Sequence, residues 1–563
     1  MQGAVPPLAR KPSSLSTLKK PDVDPPLTAA ADIRGVSMAN TSEMFRTFVQ
    51  FLTPLNLCLF VVSVFFLHSI RNKFRRGLRT LPGPTLAAYS GLWRYLDVRS
   101  GQAHRTAINL HRKHGSLVRI GPNHVSISDP REIKKIYGLK SGYTKTAFYP
   151  IQSITWKGKV EVNLFGTRDE DYHRELKKPV ANAFSLTTLL TNEPAVDSCT
   201  NLLIEKLSAY ADVSTPVDFG EWLQFYTFDV VGEITFAKKL GFLEKGGDVD
   251  GMIQAIEDLL VYASSIGQVP VWHNFLMGNP LLPILFPSME GWNKVLTFTL
   301  KAVNAVIGNV DEDSKLKKDG EFNIESLDKQ GDMLSKWFAV KLANPEKMST
   351  RDIVVHLSTN VFAGSDTTAI ALRAVFYNLL KSPAKMQKLV KEIDDAAAAG
   401  LLSSPISFKD STKNLPYMQA VLKEGLRIHP SVGLLLERHV PAGGAVICGK
   451  PIPEGTIVGI NAWVTQHDPE VFPNPDQFEP ERWIDAPEEQ LKIMEQSFFA
   501  FGGGSRTCIG RHIAIMEMAK LIPEILRRFE LSLPSPDHEW HTKNIWFVQQ
   551  EGLICNLKRR QQT

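Results

Sequence analysis

The residues most able to do chemistry lie between positions 501 and 510, in the run FGGGSRTCIG. This run places Cys508 in a glycine-rich loop just ahead of a stretch with helical periodicity. A thiolate there would be stabilised by backbone N–H groups and by the N-terminal end of the helix. The three glycines that begin with Gly502 let the backbone turn tightly and lie close to a flat ligand, because they carry no Cβ. The loop is therefore predicted to hold a metal centre through its sulfur.

Three further residues of the loop strengthen this prediction. Phe501 offers an aromatic wall that keeps water from the sulfur, and Arg506 is spaced to pair with a buried carboxylate of a ligand. Gly510 permits a close approach where the next helix begins. Together these residue types indicate that Cys508 ligates a haem iron. Cys508 alone would also fit an inert thiol or, with His512, half of a zinc site, but neither alternative accounts for the rest of the loop.

A second candidate group, AGSDTT at positions 363–368, lies within a stretch of helical periodicity. Ala363, Gly364 and Thr367 share one face of that helix, where two small residues would admit a flat cofactor. Thr367 can donate a hydrogen bond back to a helix carbonyl and open the helix locally, which leaves room for water. Asp366 is an acid among apolar neighbours and needs a functional or electrostatic reason. A helix kink with a surface acid is the alternative.

Glu424 and Arg427 form a third pair, three residues apart in another helical stretch. Side chains at this spacing are neighbours on the helix surface and can bond each other and a third partner. A modest surface ion pair is the alternative.

Four motifs thus follow one another along the chain: A-G-x-D-T-T, E-x-x-R, P-E-R at residues 480–482, and F-x-x-G-x-R-x-C-x-G. In this order they resemble the cytochrome P-450 family over roughly residues 80–560, and its fungal microsomal branch most of all. The resemblance implies a mainly α fold with small β portions and a haem b group bound through the thiolate of Cys508. It also implies a monooxygenase that inserts one oxygen atom of O2 into a lipophilic small molecule, expected to be a fungal secondary metabolite.

The resemblance extends to individual residues. Asp366 and Thr367 are the implied catalytic pair that delivers protons during oxygen activation. Arg482 is the implied third member of a buried structural triad with Glu424 and Arg427, which would lock the core around the haem pocket. Five residues are expected to lie against the haem itself: Ala363, Gly364, Phe501, Gly502 and Gly510.

Cationic residues are expected to bind the two haem propionates. The resemblance implies Arg506 for one propionate and Arg438 for the other. The family's usual W-x-x-x-R pattern for the same purpose is replaced here by His173 and Lys177, which fall at those spacings. Both residues can donate to a carboxylate, and a solvated helix face is the alternative.

Two other functions fit a haem-thiolate centre. One is an isomerase or dehydratase that does not activate O2, and the other is a non-enzymatic haem sensor or electron carrier. The presence of both Asp366 and Thr367 favours the monooxygenase, because neither alternative needs an acid beside an alcohol.

Composition divides the N-terminal part of the chain into three segments ahead of a catalytic domain at 86–563. Residues 1–47 are rich in Pro, Ser, Thr and Ala and are predicted to be disordered. Residues 48–70 are apolar enough to form one transmembrane helix, with a cleaved signal peptide or a core helix as alternatives. The basic, proline-rich hinge at 71–85 predicts that the catalytic domain is cytoplasmic, on an endoplasmic reticulum membrane.

Composition and length also limit the partners. The 563 residues are 43% hydrophobic and 22% charged, and a net charge of +5 with no long basic run gives no support for nucleic-acid binding. Five scattered cysteines form no disulfide framework. Too few residues follow Gly510 for a flavin domain. Electrons are therefore expected from NADPH through a separate NADPH–cytochrome P-450 reductase, with cytochrome b5 as a second candidate donor.

Periodicity sets the expected elements. Residues 115–130 are predicted to form a hairpin around a Gly-Pro-Asn turn, and short strands are expected in 435–465. Helical periodicity dominates the ranges 170–240, 290–310, 350–400 and 412–428.

The substrate pocket is expected to be largely apolar and aromatic, which suits a lipophilic substrate. The resemblance implies a lining drawn from residues 146–162, 259–285, Phe362, 432–436 and the neighbourhood of Trp546.

Overall fold

The computed structural model describes residues 53–156, 159–277, 291–307 and 331–561 of the chain. The predicted disordered segment and the first residues of the predicted transmembrane segment lie outside this part. The chain divides into two compact units, Met1–His68 and Ser69–Thr563.

Helix α1, Pro54–Lys73, carries most of the predicted transmembrane segment. It begins at a proline, whose fixed φ and missing N–H suit the first turn of a helix. Its apolar side chains face outward, so that Leu55, Phe60 and Leu67 are exposed over 68%, 66% and 66% of their surface. Within the described ranges, α1 is the one helix long and apolar enough to cross a bilayer. Such exposure is unlike that of a core helix.

The second unit is mainly α-helical, as the resemblance implies. Its α-helices, in chain order, are α2 Leu92–Arg99, α3 Ala103–His114, α4 Arg131–Tyr137, α5 Glu170–Val180, α6 Leu186–Leu190, α7 Glu193–Val213, α8 Phe219–Phe236, α9 Phe242–Lys245, α10 Met252–Ile266, α11 Val271–Met277, α12 Gly291–Ile307, α13 Met333–Ala343, α14 Thr350–Leu380, α15 Pro383–Ala398, α16 Phe408–Asn414, α17 Pro416–Ile428, α18 Ala462–Thr465, α19 Arg482–Asp485, α20 Glu488–Ser497 and α21 Arg511–Arg528. Short 3₁₀ turns lie at Thr85–Ala88, Tyr149–Gln152, Ala181–Phe184 and Gly504–Arg506.

The strands are short and belong to small sheets. They are β1 Leu117–Gly121, β2 His124–Ile127, β3 Thr144–Lys145, β4 Ile154–Trp156, β5 Lys159–Glu161, β6 Val217–Asp218, β7 Arg438–His439, β8 Ala445–Ile447, β9 Lys450–Ile452, β10 Ile457–Ile460, β11 Phe529–Ser532, β12 His541–Asn544, β13 Val548–Glu551 and β14 Ile554–Arg559. The largest sheet has the order β1-β2-β10-β7-β3, with β2 and β10 parallel and its other pairs antiparallel. A second sheet has the order β11-β14-β6, and β4-β5, β8-β9 and β12-β13 form two-stranded pairs.

The structure contains the strands that the sequence predicts in two regions. The predicted hairpin is confirmed, because β1 and β2 pair antiparallel around Pro122 and Asn123. The strands expected in 435–465 are also present, but Ala462–Thr465 is helical. The cause is local, since the Asn461 side chain accepts a hydrogen bond from the N–H of Trp463 and so caps a helical turn.

The predicted hinge is not a free spacer but part of the folded unit. Leu78 and Leu81 are buried in the core beneath the five-stranded sheet. The Arg119 guanidinium donates to the carbonyl oxygens of Asn72, at 2.6 Å, and Leu78, at 3.4 Å. A Cβ at Gly83 would lie 2.1 Å from the Arg119 carbonyl oxygen, so the chain can pass this strand only with a glycine. The predicted hinge therefore packs against the folded unit, while the domain boundary at residue 86 stays a prediction.

Helix α14 is the long element that positions the second candidate group. Its first turn is closed by a capping box, in which Ser349 accepts from the N–H of Asp352 and the Asp352 carboxylate accepts from the N–H of Ser349. From Ala369 to Phe376 its residues are all buried, and α14 packs against α8 among other helices. Buried on both sides, α14 provides a rigid support for the side chains near its middle.

Candidate active site

Cys508 lies between the 3₁₀ turn Gly504–Arg506 and the start of α21. Its backbone N–H donates to the carbonyl oxygen of Phe501 at 2.9 Å, which closes the loop. The side chain keeps accessible surface, yet the surrounding protein atoms raise the pKa of its thiol by burial. The N–H groups of Gly510 and Arg511 and the Arg511 charge act in the opposite direction. These donors at a helix N-terminus suit a thiolate bound to a cation.

The glycines of the loop serve different purposes. Gly504 has a φ of +64°, and a Cβ there would lie 1.6 Å from the carbonyl oxygen of Tyr137 at the end of α4. This glycine is therefore required by a close approach to the protein's own backbone. Gly510 has open space beside it, because a Cβ there would meet no atom of the described residues within 4 Å. Its expected close approach to a cofactor stays a prediction.

Thr367 makes the hydrogen bond foreseen for it, but the helix does not open. Its hydroxyl donates to the carbonyl oxygen of Ala363 at 2.7 Å, and α14 remains α-helical from Thr350 to Leu380. Ala363 itself is exposed. A Cβ at Gly364 would lie 2.9 Å from Cγ2 of Val231, so this glycine permits the tight packing of α14 against α8. Its expected contact with a cofactor stays a prediction.

Asp366 is buried, which removes the surface-acid alternative. It is 3% exposed, and its carboxylate accepts a hydrogen bond at 2.6 Å from Nε2 of Gln224 on α8. Burial raises the pKa of Asp366 to about 6, against the opposing influence of Gln224 and Arg373. The acid and the Thr367 hydroxyl therefore have different partners, since Thr367 bonds within α14 and Asp366 bonds to α8.

Arg438 and Arg506 reach the same region from different elements. Arg438 is 4% exposed and donates to the Tyr149 hydroxyl at 2.9 Å. Arg506 was expected to pair with a carboxylate of the ligand, but here it forms an ion pair with Glu170 of α5 at 2.8 Å. Glu437 does not compensate Arg438, because it pairs with Arg94 at 2.6 Å.

His173 and Lys177, the residues that replace the family's usual pattern, lie beside this region on α5. His173 is buried, and burial together with Arg506, Lys145 and Lys177 lowers its pKa to about 3, so the imidazole is neutral. The Lys177 ammonium donates to the carbonyl oxygen of Ser505 at 3.2 Å, within the cysteine loop. The solvated-face alternative therefore does not hold for His173.

Lys145 is a cation that sequence reasoning missed. It is 3% exposed, donates to the carbonyl oxygen of Phe165 at 2.5 Å, and lies 4.3 Å and 4.2 Å from the ring centroids of Tyr149 and Phe165. Burial, followed by the charges of Arg438 and Arg506, holds its pKa well below the ordinary lysine value. A single lysine in a two-residue strand gives no signal in the sequence that it will be buried beside these residues.

The donor set fits a ligand with two carboxylates. Besides burial, the charges of Arg438 and Arg506 lower the pKa of Lys145, and the charge of Arg438 lowers the pKa of Arg506. Glu170 is the acid that raises the pKa of both Lys145 and Arg506. Three buried cations facing one carboxylate are short of negative charge, which an additional dianionic group would supply. Haem carries two propionates and takes an axial thiolate, so these residues and Cys508 suit it.

The predicted structural triad is present in the core. Glu424 forms ion pairs with Arg427 at 2.9 Å and with Arg482 at 3.1 Å, with all three side chains at most 5% exposed. The Trp483 indole N–H donates to the same carboxylate at 2.9 Å. A surface ion pair is thereby excluded.

The zinc alternative for Cys508 and His512 also lacks support, since the described residues contain no group of three or more His, Cys, Asp or Glu side chains that could hold a metal ion.

A cavity lies beside Phe148 and is partly lined by Leu434 and Leu435. These residues fall in the ranges expected for the substrate pocket, and the Phe148 ring contacts that of Trp546 at 4.9 Å. The wall also contains the buried pair Arg94 and Glu437, which sequence reasoning did not anticipate. The wall also includes Asp97, His111 and Gln268, so the cavity is lined by both apolar and polar side chains.

Comparison with known proteins agrees with this geometry. The cytochrome P-450 family model matches residues 81–555, and the chain belongs to this family. It is an oxygen-incorporating oxidoreductase, as its relatives are named, and the family's cofactor is a thiolate-ligated haem.

Three relatives illustrate the likeness. The cytochrome P-450 monooxygenase cicH of Emericella nidulans is 39% identical over 511 residues, covering 90% of this chain and 98% of the relative. A cytochrome P-450 monooxygenase of Aspergillus terreus is 39% identical over 488 residues, covering 85% and 95%. Pisatin demethylase of Fusarium vanettenii is 36% identical over 511 residues, covering 89% and 92%.

Proposed function

We propose that this protein is a haem-dependent monooxygenase that inserts one oxygen atom of O2 into a lipophilic small molecule of fungal secondary metabolism. The buried acid Asp366 carries the proposal furthest, because an acid with a pKa of about 6 in the core can hold and release protons near neutral pH. The fungal relatives support the substrate class.

Residues of three kinds would hold the cofactor. Cys508 would ligate the iron, with the N–H groups at the start of α21 stabilising its negative charge. Lys145, Arg438 and Arg506 would bind the propionates. Arg506 would then form ion pairs with both a propionate and Glu170. When bound, the haem supplies the oxygen-activating chemistry. The remaining contacts expected of Ala363, Phe501, Gly502 and Gly510 belong to the same proposal.

Asp366 and Thr367 would carry protons to the reacting centre. The Thr367 hydroxyl, which now donates to the Ala363 carbonyl, can turn to donate elsewhere because a hydroxyl rotates freely. Asp366 would supply the proton from the α8 side of the helix. The isomerase and the sensor or carrier functions make no use of an acid buried at this point, and this observation favours the monooxygenase over them.

Electrons would come from NADPH through a separate cytochrome P-450 reductase, with cytochrome b5 as a further donor. The proposed location is the endoplasmic reticulum membrane, with α1 as a single transmembrane anchor and the catalytic domain cytoplasmic. The length and exposed apolar surface of α1 support the anchor. On α11, Val271, Trp272 and Phe275 expose 85%, 53% and 63% of their surface, which suits contact with a lipid surface.

The test uses the full chain with haem, purified with a fungal reductase. The expected result is NADPH-dependent oxygen consumption and a carbon monoxide spectrum of the thiolate type. Cys508→Ala should abolish that spectrum, whereas Cys448→Ala, at a partly buried thiol remote in sequence from the loop, should retain it. Oxygen consumption absent from the wild type, or a thiolate spectrum retained in Cys508→Ala, would refute the proposal. Untargeted comparison of metabolites between a deletion strain and its parent would identify the substrate.

A further inference from the structure

Asp366 is the last of three buried residues that are joined by hydrogen bonds, the other two being Arg373 on α14 and Gln224 on α8. The Arg373 side chain donates through Nη2 to Oε1 of Gln224 at 2.9 Å and through Nε to the carbonyl oxygen of Gly220 at 2.8 Å. Gln224 in turn donates through Nε2 to Oδ1 of Asp366 at 2.6 Å. Gln224 is 9% exposed, Arg373 6% and Asp366 3%, so water does not compete strongly for these bonds.

The donor chemistry of arginine fixes the direction of every bond in this chain. A guanidinium can only donate, so the Gln224 atom that faces Arg373 must be the amide oxygen. The amide nitrogen of Gln224 then has to face Asp366, and a flipped amide would set donor against donor at one end. An amide N–H can only donate, so Oδ1 of Asp366 must be an acceptor. When Asp366 is protonated, this bond favours the proton on Oδ2, because the carbonyl oxygen of a carboxyl group is a better acceptor than its hydroxyl oxygen.

We propose, on the basis of the oxygen-activating function above, that Gln224, oriented by Arg373, is a positioning residue that keeps the transferable proton of Asp366 on Oδ2. In the proton step, the Oδ2–H bond breaks as the proton leaves and a proton from water restores it, with no change in oxidation state. Gln224 stabilises the carboxylate left behind, because its N–H already points at Oδ1. The acid therefore needs no reorientation between its two protonation states.

The charges around Asp366 come from several elements. Arg373, on its own helix, favours the carboxylate, whereas Glu257 on α10 disfavours it. The Gln549 side chain on β13 also favours the carboxylate. Burial lowers the pKa of Arg373, and three nearby acids oppose this effect: Asp218 on β6, Glu221 in the first turn of α8 and Glu551 on β13. Of these neighbours, Gln224 has the strongest influence toward the carboxylate, which makes it the informative residue to change.

The test substitutes Gln224→Met, which keeps the side-chain length and removes the donor. The infrared C=O band of the protonated Asp366 carboxyl, assigned by its loss in Asp366→Asn, is titrated in the full haem-loaded protein. Its midpoint is expected to rise by about one pH unit in Gln224→Met. The matched control is Thr227→Val, which removes a buried hydroxyl that donates to the backbone carbonyls of Ser365 and Gln224 but does not contact the Gln224 side-chain amide group. The control midpoint should stay at the wild-type value.

Activity provides the second measurement. The pH profile of NADPH-dependent oxygen consumption is compared between the variants. If Asp366→Asn abolishes one limb of that profile, the midpoint of the limb should move to higher pH in Gln224→Met and stay in place in Thr227→Val. An unchanged infrared midpoint in Gln224→Met, or an equal shift in Thr227→Val, would overturn the role of Gln224. If the wild type consumed no oxygen, the proposed function would fail, while the infrared midpoint would still show whether Gln224 stabilises the Asp366 carboxylate. Gln224→Asn, which keeps the amide but shortens its reach, gives the same test if the Met variant does not fold.

Discussion

Glu517 is an acid in the core of α21 whose removal should stabilise the protein in a pH-dependent way. Its side chain is fully buried, and neither carboxylate oxygen has a hydrogen-bond partner among the described residues. Burial raises its pKa well above the ordinary glutamate value. Its charge also raises the pKa of the buried Tyr226 hydroxyl, which places the two groups in the same part of the core.

The size of the effect follows from proton linkage. In the unfolded chain Glu517 loses its proton above a pH of about 4.3, whereas the folded chain keeps it up to the raised pKa. Between these two values the unfolded state binds fewer protons, so the free energy of unfolding falls by about 1.4 kcal/mol for each pH unit. Glu517→Gln cannot lose a proton and avoids this loss. From pH 5 to 6, its stability relative to the wild type is expected to rise by about 1.4 kcal/mol.

The measurement is urea unfolding of the wild type and Glu517→Gln at several pH values between 5 and 7, followed by the same optical signal. Glu489→Gln, on the exposed surface of α20, is the control and should show no pH-dependent difference from the wild type. Any constant cost of burying the amide cancels, because only the change with pH is interpreted. A difference between Glu517→Gln and the wild type that stays constant across this pH range would refute the reasoning.

Two further predictions concern the haem region. Lys145→Met should release haem to apomyoglobin about tenfold faster than the wild type, because it loses a charge-assisted contact with a propionate. Lys113→Met, at an exposed site, should release haem at the wild-type rate. Equal rates in all three proteins would contradict the propionate role of Lys145. Gly504→Ala should yield protein without the thiolate-type carbon monoxide band, because its Cβ would overlap the Tyr137 carbonyl. Gly400→Ala has a similar φ of +66° but open space around its Cβ, and should keep the band at a cost of about 1 kcal/mol in stability.

Local patterns predicted the parts of the site that depend on chain spacing. The hairpin around Pro122 followed from alternation and a turn, and the contact between Glu424 and Arg427 followed from helical spacing. The packing role of Gly364 could not be predicted, because the sequence identifies a helix face but not the neighbour that this face contacts. Val231 occupies that side only because α8 and α14 pack together.

The sequence by itself determined the class of this protein. The residues around Cys508 and the pair Asp366 and Thr367 identify a haem-thiolate oxygenase, because each motif acts over a few neighbouring residues whose geometry the backbone sets. Tertiary structure alone decided how the acid is held, since Gln224 stands 142 residues before Asp366. It likewise brought Lys145 beside Arg438. Burial and charge balance depend on which elements pack together, and a linear pattern of residues does not contain that information.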